Sequence, residues 1–411
     1  MPVDLPALHD TDMTELHRLG REQGLTHPES MRRSNLVFEI ARRVTEREGA
    51  ILGRGVLEVH GEGFGFLRAA AANFLPGTDD IYVSQSQIRR FELKTGDTVI
   101  GIIRPPKEGE RYTALLRVES VNGEPAGVSS PAFESLTAIY PDERIDLGED
   151  PTLQVVELIA PLGLGQRGLL IAPPRTNRIE VQRRLVERFT ADESLDVTIL
   201  LTAAAPEEIT EWRTLTAAEV IATPFDEPQA RHLQVADIVF ERARRMVERG
   251  DDVVVIVDSL TRLLRACLAE LPPSGREIGG ADAVALHRIR RYLGAARALE
   301  EGGSLTVIGV VSGDADNKLD QALLDDVRDA VNWELVLARS LTEQGLTPPI
   351  DVLRSNNRRA ERLSTEVERG LLAEYHKHAT GHLSEDLQAL QTLILDRKGT
   401  IPATSRKTAS G

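Results

Sequence analysis

Cysteine is nearly absent: Cys267 stands alone in 411 residues, so no internal disulfide can form and the composition fits a reducing compartment. No run approaches the ~18 uninterrupted apolar residues of a membrane-spanning helix, so no membrane partner is expected. The opening residues, MPVDLPALHD, lack a basic segment leading into an apolar run; no secretory signal is expected, and a cytoplasmic location is. The nine histidines show no HExxH pattern and no close His/Cys cluster, so no metal site is expected from them. Positive charge is also short. The balance of 49 Lys and Arg against 64 Asp and Glu leaves a net −15, which excludes coating nucleic acid by bulk charge while leaving room for a local site.

What is present is ordinary for a folded chain. Hydrophobic residues at 41% and charged residues at 27% exclude wholesale disorder. At ~150 residues per domain the length gives two or three domains. The distribution is uneven, however. Residues 51–120 hold nine basic and nine acidic side chains, so the acidic excess lies elsewhere. Of only 16 aromatic residues, six fall between positions 64 and 112.

These shifts divide the chain. Residues 1–49 read as a small helical unit, with Leu16, Leu19, Leu36, Phe38, Ile40 and Val44 at helical spacing and Thr11 and Ser34 as expected N-caps. Residues 50–120 carry five short strand-like runs (VLEV, GFGFLR, DIYV, TVIGII, YTALLRV) separated by turns, the pattern of a small barrel. Residues 121–152 read as a linker. From 153 to 397, uninterrupted apolar runs at 168–172, 197–201, 253–257 and 305–311 alternate with helical stretches, as expected for a parallel sheet covered on both faces. Residues 398–411 read as a frayed tail. The fold class is α/β and multidomain.

In GFGFLR, Phe64 and Phe66 are two apart and project from one face of a strand, and Arg68 continues that row. Tyr82 and Tyr112 can join them, with Glu110 nearby. Unpaired bases stack on flat π-faces, and OB and cold-shock barrels bind single strands in this way. The alternative for the two phenylalanines is that they fill the barrel core.

Over long stretches the sequence resembles the bacterial transcription termination factor Rho family. The likeness is carried by GVLEVHGEGFGFLR (55–68), by DDIYVSQSQIRRFELKTGDTVIGIIRPPKEGERYTALLRV (79–118), and by APLGLGQRG (160–168), PEEITE (206–211) and TPFDEPQARHLQVAD (223–237). It continues through VDSLTRLLRA (257–266), SGREIGGADAVALHR (274–288) and IDVLRSNNRR (350–359). The resemblance implies an OB/cold-shock-like RNA-binding barrel and a RecA-like P-loop domain that binds ATP and magnesium between subunits of a ring. It implies single-stranded RNA and RNA polymerase as partners. It places Phe64, Phe66, Arg68, Tyr82, Glu110 and Tyr112 at the primary RNA site, and Arg276 and Lys318 in pore loops that face RNA. It also assigns Gly163, Leu164, Gly165, Gln166, Arg167 and Gly168 to the nucleotide region.

The phosphate loop departs from that pattern. A P-loop, G-x-x-x-x-G-K-[ST], needs glycines so that backbone N–H groups can close around phosphate, a lysine for the β/γ charge and a hydroxyl for magnesium. Here the strand GLLIAPP is followed by Arg175, Thr176, Asn177, Arg178, Ile179 and Glu180. Asn177, Arg178 and Ile179 stand where the family has glycine, lysine and threonine. Arginine is a poor replacement for a lysine in a tight cradle, isoleucine cannot ligate a metal, and Glu180 brings negative charge towards the phosphates. Ala204 falls where the family carries its catalytic carboxylate and has no proton acceptor. Ala205 replaces a nucleotide-contacting arginine.

Asp258 keeps the Walker B position, either for magnesium or as a strand-end carboxylate capping the next helix. Arg354 falls at the arginine-finger position, while a second family arginine falls on Gly345. The expectation is an RNA-binding family member with a degenerate nucleotide site, no intact catalytic set and doubtful ATP binding. It would form rings alone or with an active Rho. Two alternatives stay open: an active RNA-dependent ATPase and helicase with an unorthodox loop, and a plain RNA-binding protein.

Overall fold

The computed structural model describes residues 11–47, 51–107, 109–128, 130–314 and 316–396. The frayed tail expected at 398–411 and the first ten residues of the helical unit lie outside these. The chain divides into two units: one takes residues up to Pro131 together with Val235–Met246, the other Ala132–Gln234 and residues from Val247 onward. No helix among the described residues is long and apolar enough to cross a membrane.

The first unit opens with two helices, α1 (Met13–Glu22) and α2 (Arg33–Arg47). Asp12 caps α1, accepting from the backbone N–H of Thr14 at 2.8 Å and of Glu15 at 3.1 Å, so the cap lies one residue beyond the expected Thr11. Helix α2 already includes Ser34, which therefore sits in its first turn and not at the cap. Leu16, Leu36, Val37 and Ile40 bury the shared face of the pair.

Five strands follow: β1 (Ile51–Val59), β2 (Gly65–Arg68), β3 (Ile81–Val83), β4 (Thr98–Arg104) and β5 (Thr113–Val121), with the short helix α3 (Gln85–Arg90) between β3 and β4. They pair in the order β3-β2-β1-β4-β5, and a parallel β3–β5 pairing closes the barrel. Side chains alternate across each strand. Leu57, Leu67 and Ile81 are opposite one another in register and point inward; Glu58, Phe66 and Tyr82 form the next row and point out. The barrel core is aliphatic, built from residues such as Leu57, Leu67, Val83, Val99 and Leu115, so the phenylalanines of GFGFLR do not fill it.

Residues 121–152 carry local structure: Phe133 is buried in a short 3₁₀ turn, and Ala138–Ile139 pairs with Arg297–Leu299 of the second unit's sheet. That sheet contains β6 (Arg167–Ile171), β7 (Leu195–Ala204), β8 (Glu219–Pro224), β9 (Asp252–Asp258), β10 (Ser304–Val311) and β11 (Trp333–Val336). Their spatial order is β8-β7-β9-β10-β6-β11, and every one of these pairings is parallel. The four apolar runs of the sequence are β6, β7, β9 and β10. Every residue of β10 is buried, as a strand covered on both faces requires. Strands β8 and β11 were not legible as apolar runs, because Pro224 and the charged Glu219 and Glu334 interrupt them.

Three helices follow strand ends that matter below: α4 (Arg178–Ala191) after β6, α5 (Pro206–Leu215) after β7 and α6 (Leu260–Glu270) after β9. Strand β10 lies between β6 and β9, so the loops leaving β6 and β9 meet at the carboxyl edge of the sheet across one intervening strand. Open α/β sheets bind ligands at such edges. Trp333 anchors β11: its ring is fully buried and its indole N–H donates to the Ala160 carbonyl at 2.8 Å. Trp333→Ala is expected to destabilise the protein by about 3–5 kcal/mol, read as a lower denaturation midpoint at unchanged slope.

Candidate functional site

On the barrel, β2 and β3 set Phe66 beside Tyr82, with ring centroids 6.0 Å apart. Tyr112, at the start of β5, meets Phe66 edge-on at 4.9 Å, and Phe64 lies 5.8 Å from both Phe66 and Tyr82. All four rings are half-buried, leaving part of each π-face to solvent. His60 completes the group, stacked on Phe64 at 5.3 Å with its ring tilted by only 11°. It was missed in the sequence because a lone histidine in HGEGF carries no periodic signal; the turn across Gly61–Gly63 brings it back over Phe64.

Arg68 continues the row but is covered. It is 3% exposed, lies against the Phe66 ring at 5.1 Å, and its guanidinium pairs with Glu58 at 2.7 Å and with Asp80. The structure thus places Arg68 as a support beneath the rings and not among the exposed groups. Glu110 is held by Arg104 at 2.5 and 2.8 Å and by the Lys107 N–H at 2.9 Å. The Arg104 hydrogen bond, helped by that amide, lowers its pKa to about 2, so it is a fixed anion at the rim. Tyr82, Arg104, Glu110, Tyr112 and Gln87 line a cavity of about 570 Å³ beside the aromatic floor. Flat rings next to a polar rim of this size suit an unpaired base.

The second constellation lies at the carboxyl edge of the parallel sheet. After β6 the chain turns through Arg175 and Asn177, both in the left-handed region (φ 69° and 50°), and enters α4 at Arg178. Asparagine tolerates this conformation better than most residues, which explains how the turn survives without a glycine. Thr176 is buried and donates to the Pro173 carbonyl at 2.7 Å, bracing the loop internally.

Arg178 does not point outward. One guanidinium nitrogen bonds the Asp258 Oδ2 at 3.1 Å and another the Glu208 Oε1 at 2.8 Å. Glu208 also receives Arg262 of α6 at 3.2 Å, and Asp258 receives the Gln182 side-chain N–H at 3.2 Å. Four elements are tied together: α4, the end of β9, α5 and α6. Asp258 is 1% exposed and its Oδ1 has no hydrogen-bond partner. Burial raises its pKa, opposed first by the charge of Arg178. The capping role once open to Asp258 belongs instead to Ser259, whose hydroxyl accepts from the Arg262 N–H.

Other expected residues are placed apart. Glu180 pairs along α4 with Arg183 at 3.0 Å and Arg184 at 2.8 Å, so its charge is turned along the helix and it does not line the cavity of about 460 Å³ that Arg175, Asn177, Arg178 and Asp258 border at this edge. The APLGLGQRG segment leads into β6 and builds the sheet's entry: the Gln166 amide oxygen accepts from the Gly163 N–H at 2.9 Å, and Arg167 donates to the Ala330 and Ala296 carbonyls. Gly165, at φ +84°, packs so closely that a Cβ there would lie 2.1 Å from the Ala298 nitrogen. Leu164 is buried, and Gly168 lies within β6. None of Gly163–Gly168 lines the cavity. Ala204 is fully buried, and Ala205 starts α5 without a side-chain cap. Arg276 and Lys318 are exposed, the latter opening a helix whose first turn carries Asp320. Arg354 is exposed, with its backbone N–H on Asp351.

Comparison with known proteins gives two family matches. Residues 53–126 match the Rho termination factor RNA-binding domain, and residues 152–357 the nucleotide-binding domain of the ATP synthase alpha/beta family. Transcription termination factor Rho of Escherichia coli (strain K12) is 43% identical over 376 residues, 89% of this chain and 90% of that protein. Its namesake from Buchnera aphidicola subsp. Schizaphis graminum is 43% identical over 372 residues, 88% and 89% of the two chains. The chain belongs to the Rho family.

Solved structures resemble it at the level of the fold. A type III secretion system ATPase of pathogenic bacteria matches with TM-score 0.52 at 20% identity, over 67% of this chain and 84% of that one. The ATP synthase subunit NeqB of Nanoarcheaum equitans matches with TM-score 0.51 at 17% identity, over 62% and 67%.

Arg178 and Ile179 open α4, and Arg178 is tied to Asp258 and Glu208. Gln182, Glu208, Arg262 and Arg265 were not singled out from sequence. The one available signal was the i, i+4 spacing of Arg178 and Gln182, which places both on the face of α4 towards β9. Removing Arg178 leaves Asp258 buried without its counter-charge. Arg178→Leu is expected to cost on the order of 3 kcal/mol at neutral pH. Asp258 binds its proton more tightly folded than unfolded, so stability rises as the pH falls through the raised pKa towards the ordinary carboxylate range. The deficit of the variant should therefore shrink in acid, as checked by denaturant melts at pH 7 and pH 4.

Proposed function

We propose that this Rho-family chain is an RNA-binding protein of transcription termination whose nucleotide domain does not hydrolyse ATP. It regulates termination by assembling into rings, alone or mixed with an active family member. The observation that carries this reading is the Arg178 guanidinium seated on Asp258 and Glu208.

Chemistry at a phosphate loop requires a cation to neutralise the terminal phosphates, a metal held by a hydroxyl and a carboxylate, and a base to orient water. Here Arg178 is engaged by two carboxylates. Ile179 offers no ligand, and of the Asp258 carboxylate Oδ2 already holds a guanidinium and an amide, with only Oδ1 left without a partner. A divalent ion beside Arg178 would meet like charge, so the residues present do not fit magnesium. Ala204 supplies no proton acceptor. No hydrolytic step can be written through this set.

The barrel is complete by comparison. Its half-exposed rings, the anionic rim at Glu110 and the adjoining cavity support stacking of single-stranded RNA. The names of the relatives, transcription termination factors, support the process. In a mixed ring, a subunit without turnover would interrupt sequential firing around the ring and so weaken termination.

Phe66→Ala is expected to lower affinity for pyrimidine-rich single-stranded RNA about 5- to 150-fold, from ~1–3 kcal/mol per stacked base, measured by fluorescence anisotropy. Unchanged affinity removes the stacking role. Purified protein is expected to release no phosphate from ATP with RNA and magnesium, and Arg178→Lys with Ile179→Thr should not recover turnover while Ala204 remains. RNA-stimulated release by the unaltered chain would instead favour the active helicase.

A further inference from the structure

His60 follows β1 and is fixed in the aromatic group by its backbone. Its N–H donates to the Phe64 carbonyl at 2.8 Å, and its own carbonyl accepts from the Gly63 N–H at 2.8 Å. The ring stacks on Phe64 and meets Phe66 edge-on at 5.5 Å, yet 38% of the side chain stays exposed. One ring nitrogen is turned towards charge: Nε2 has no hydrogen-bond partner and lies 3.8 Å from the Glu58 Oε2. That same oxygen takes the Arg68 guanidinium, which also binds Asp80. Two carboxylates thus share one guanidinium beneath the rings. A second cation beside Glu58 is favoured by charge, and a protonated imidazole on the Phe64 face adds a cation–π contact.

Other charged groups lie around this end of the barrel. Glu62 is in the same turn, and Lys94 precedes the Thr95 whose hydroxyl accepts from the Val59 N–H at 3.1 Å; both are exposed. Glu110 is matched by Arg104, and Arg111 lies over Tyr112 at 5.4 Å. Of these side-chain types, histidine is the one that ordinarily changes charge between pH 5 and 8.

We infer that His60 is a proton-dependent member of the RNA site, whose imidazolium draws the RNA backbone onto the aromatic floor, so that single-stranded RNA is held more tightly at pH 6 than at pH 8. The inference rests on the reading that RNA stacks on this floor. Without its proton, the ring is a neutral aromatic surface. With it, the ring keeps that surface and also attracts the phosphates, while Glu58 and Phe64 hold it in place. Binding therefore takes up a proton, and affinity rises with acidity. One more positive charge also releases one more counterion from the RNA.

The test is fluorescence anisotropy of the full chain with pyrimidine-rich single-stranded RNA at pH 8 and pH 6, each over a salt series. Affinity should rise about threefold or more at pH 6 in low salt, with the log–log salt slope steeper by about 0.7. In His60→Phe, which keeps an aromatic ring, and in His60→Leu, the ratio between the two pH values should fall to about one. Binding calorimetry of the unaltered chain at pH 7, in buffers of different ionisation enthalpy, should report proton uptake. An affinity that ignores pH, a pH response that survives in either variant, or binding without proton uptake would each overturn the inference and leave the RNA reading standing. Failure to bind RNA at either pH sinks that reading, and the inference with it.

Discussion

The guanidinium of Arg178 lies where α4, β9, α5 and α6 converge, and its two ion pairs set the character of the whole carboxyl edge of the sheet. A buried carboxylate such as Asp258 is costly to leave unpaired, and removal of one partner from a buried pair is more harmful than never having had the pair. With arginine in place, Asp258 Oδ2 is paired from within the protein, by Arg178 and by Gln182 one helical turn further along, while Oδ1 stays buried without a partner. In a working phosphate loop the same carboxylate serves the metal, and its neighbour on the loop serves the ligand. Here the neighbour serves the carboxylate. That exchange couples Arg178 and Gln182, which meet on the same Asp258 oxygen between α4 and β9.

The barrel depends on a different and more local constraint. Strand alternation alone decides that Leu57, Leu67 and Ile81 point in and that Phe66 and Tyr82 point out, since the rows are in register across three strands. Below the rings, Arg68 is tied between Glu58 and Asp80 and lies against the Phe66 ring. Its charge is neutralised by these partners, so its contribution is to hold Phe66 in place and not to attract phosphate. The arrangement also explains how a chain of net charge −15 presents a surface for RNA: recognition through ring faces and a shaped cavity relies less on bulk positive potential than phosphate contacts do.

Much of this was legible in the sequence for physical reasons. The five barrel strands are short and bounded by turns, and four strands of the parallel sheet are buried on both faces, so their apolar runs are unbroken. Strands β8 and β11 escaped because proline and glutamate interrupt them, and the burial of Trp333 compensates only in three dimensions. The aromatic floor could be read from i, i+2 spacing, whereas His60 could not, since its stacking on Phe64 arises from a turn. The loss of lysine and hydroxyl was visible as identity. What Arg178 does with its charge was not, because Glu208 and Asp258 lie 30 and 80 residues away along the chain and are brought together only by strand order. The glycine-rich APLGLGQRG phrase leads into β6, and the close backbone approach at Gly165, where no Cβ would fit, could not be read from the sequence.

These two kinds of dependence bear on how one half of such a protein can persist while the other changes its task. The RNA face is specified by a few neighbouring strands, so nothing in its geometry refers to the nucleotide edge. The nucleotide edge requires side chains from four separate elements to agree, and it fails as a catalyst when any one of them stops contributing. On the proposed reading, ion pairs within the protein take the place of contacts that ligand and metal would make, and the sheet stays folded. On the same reading, Arg178, Asp258, Glu208 and Arg262 hold the carboxyl edge of the nucleotide domain together as one alternating chain of charges.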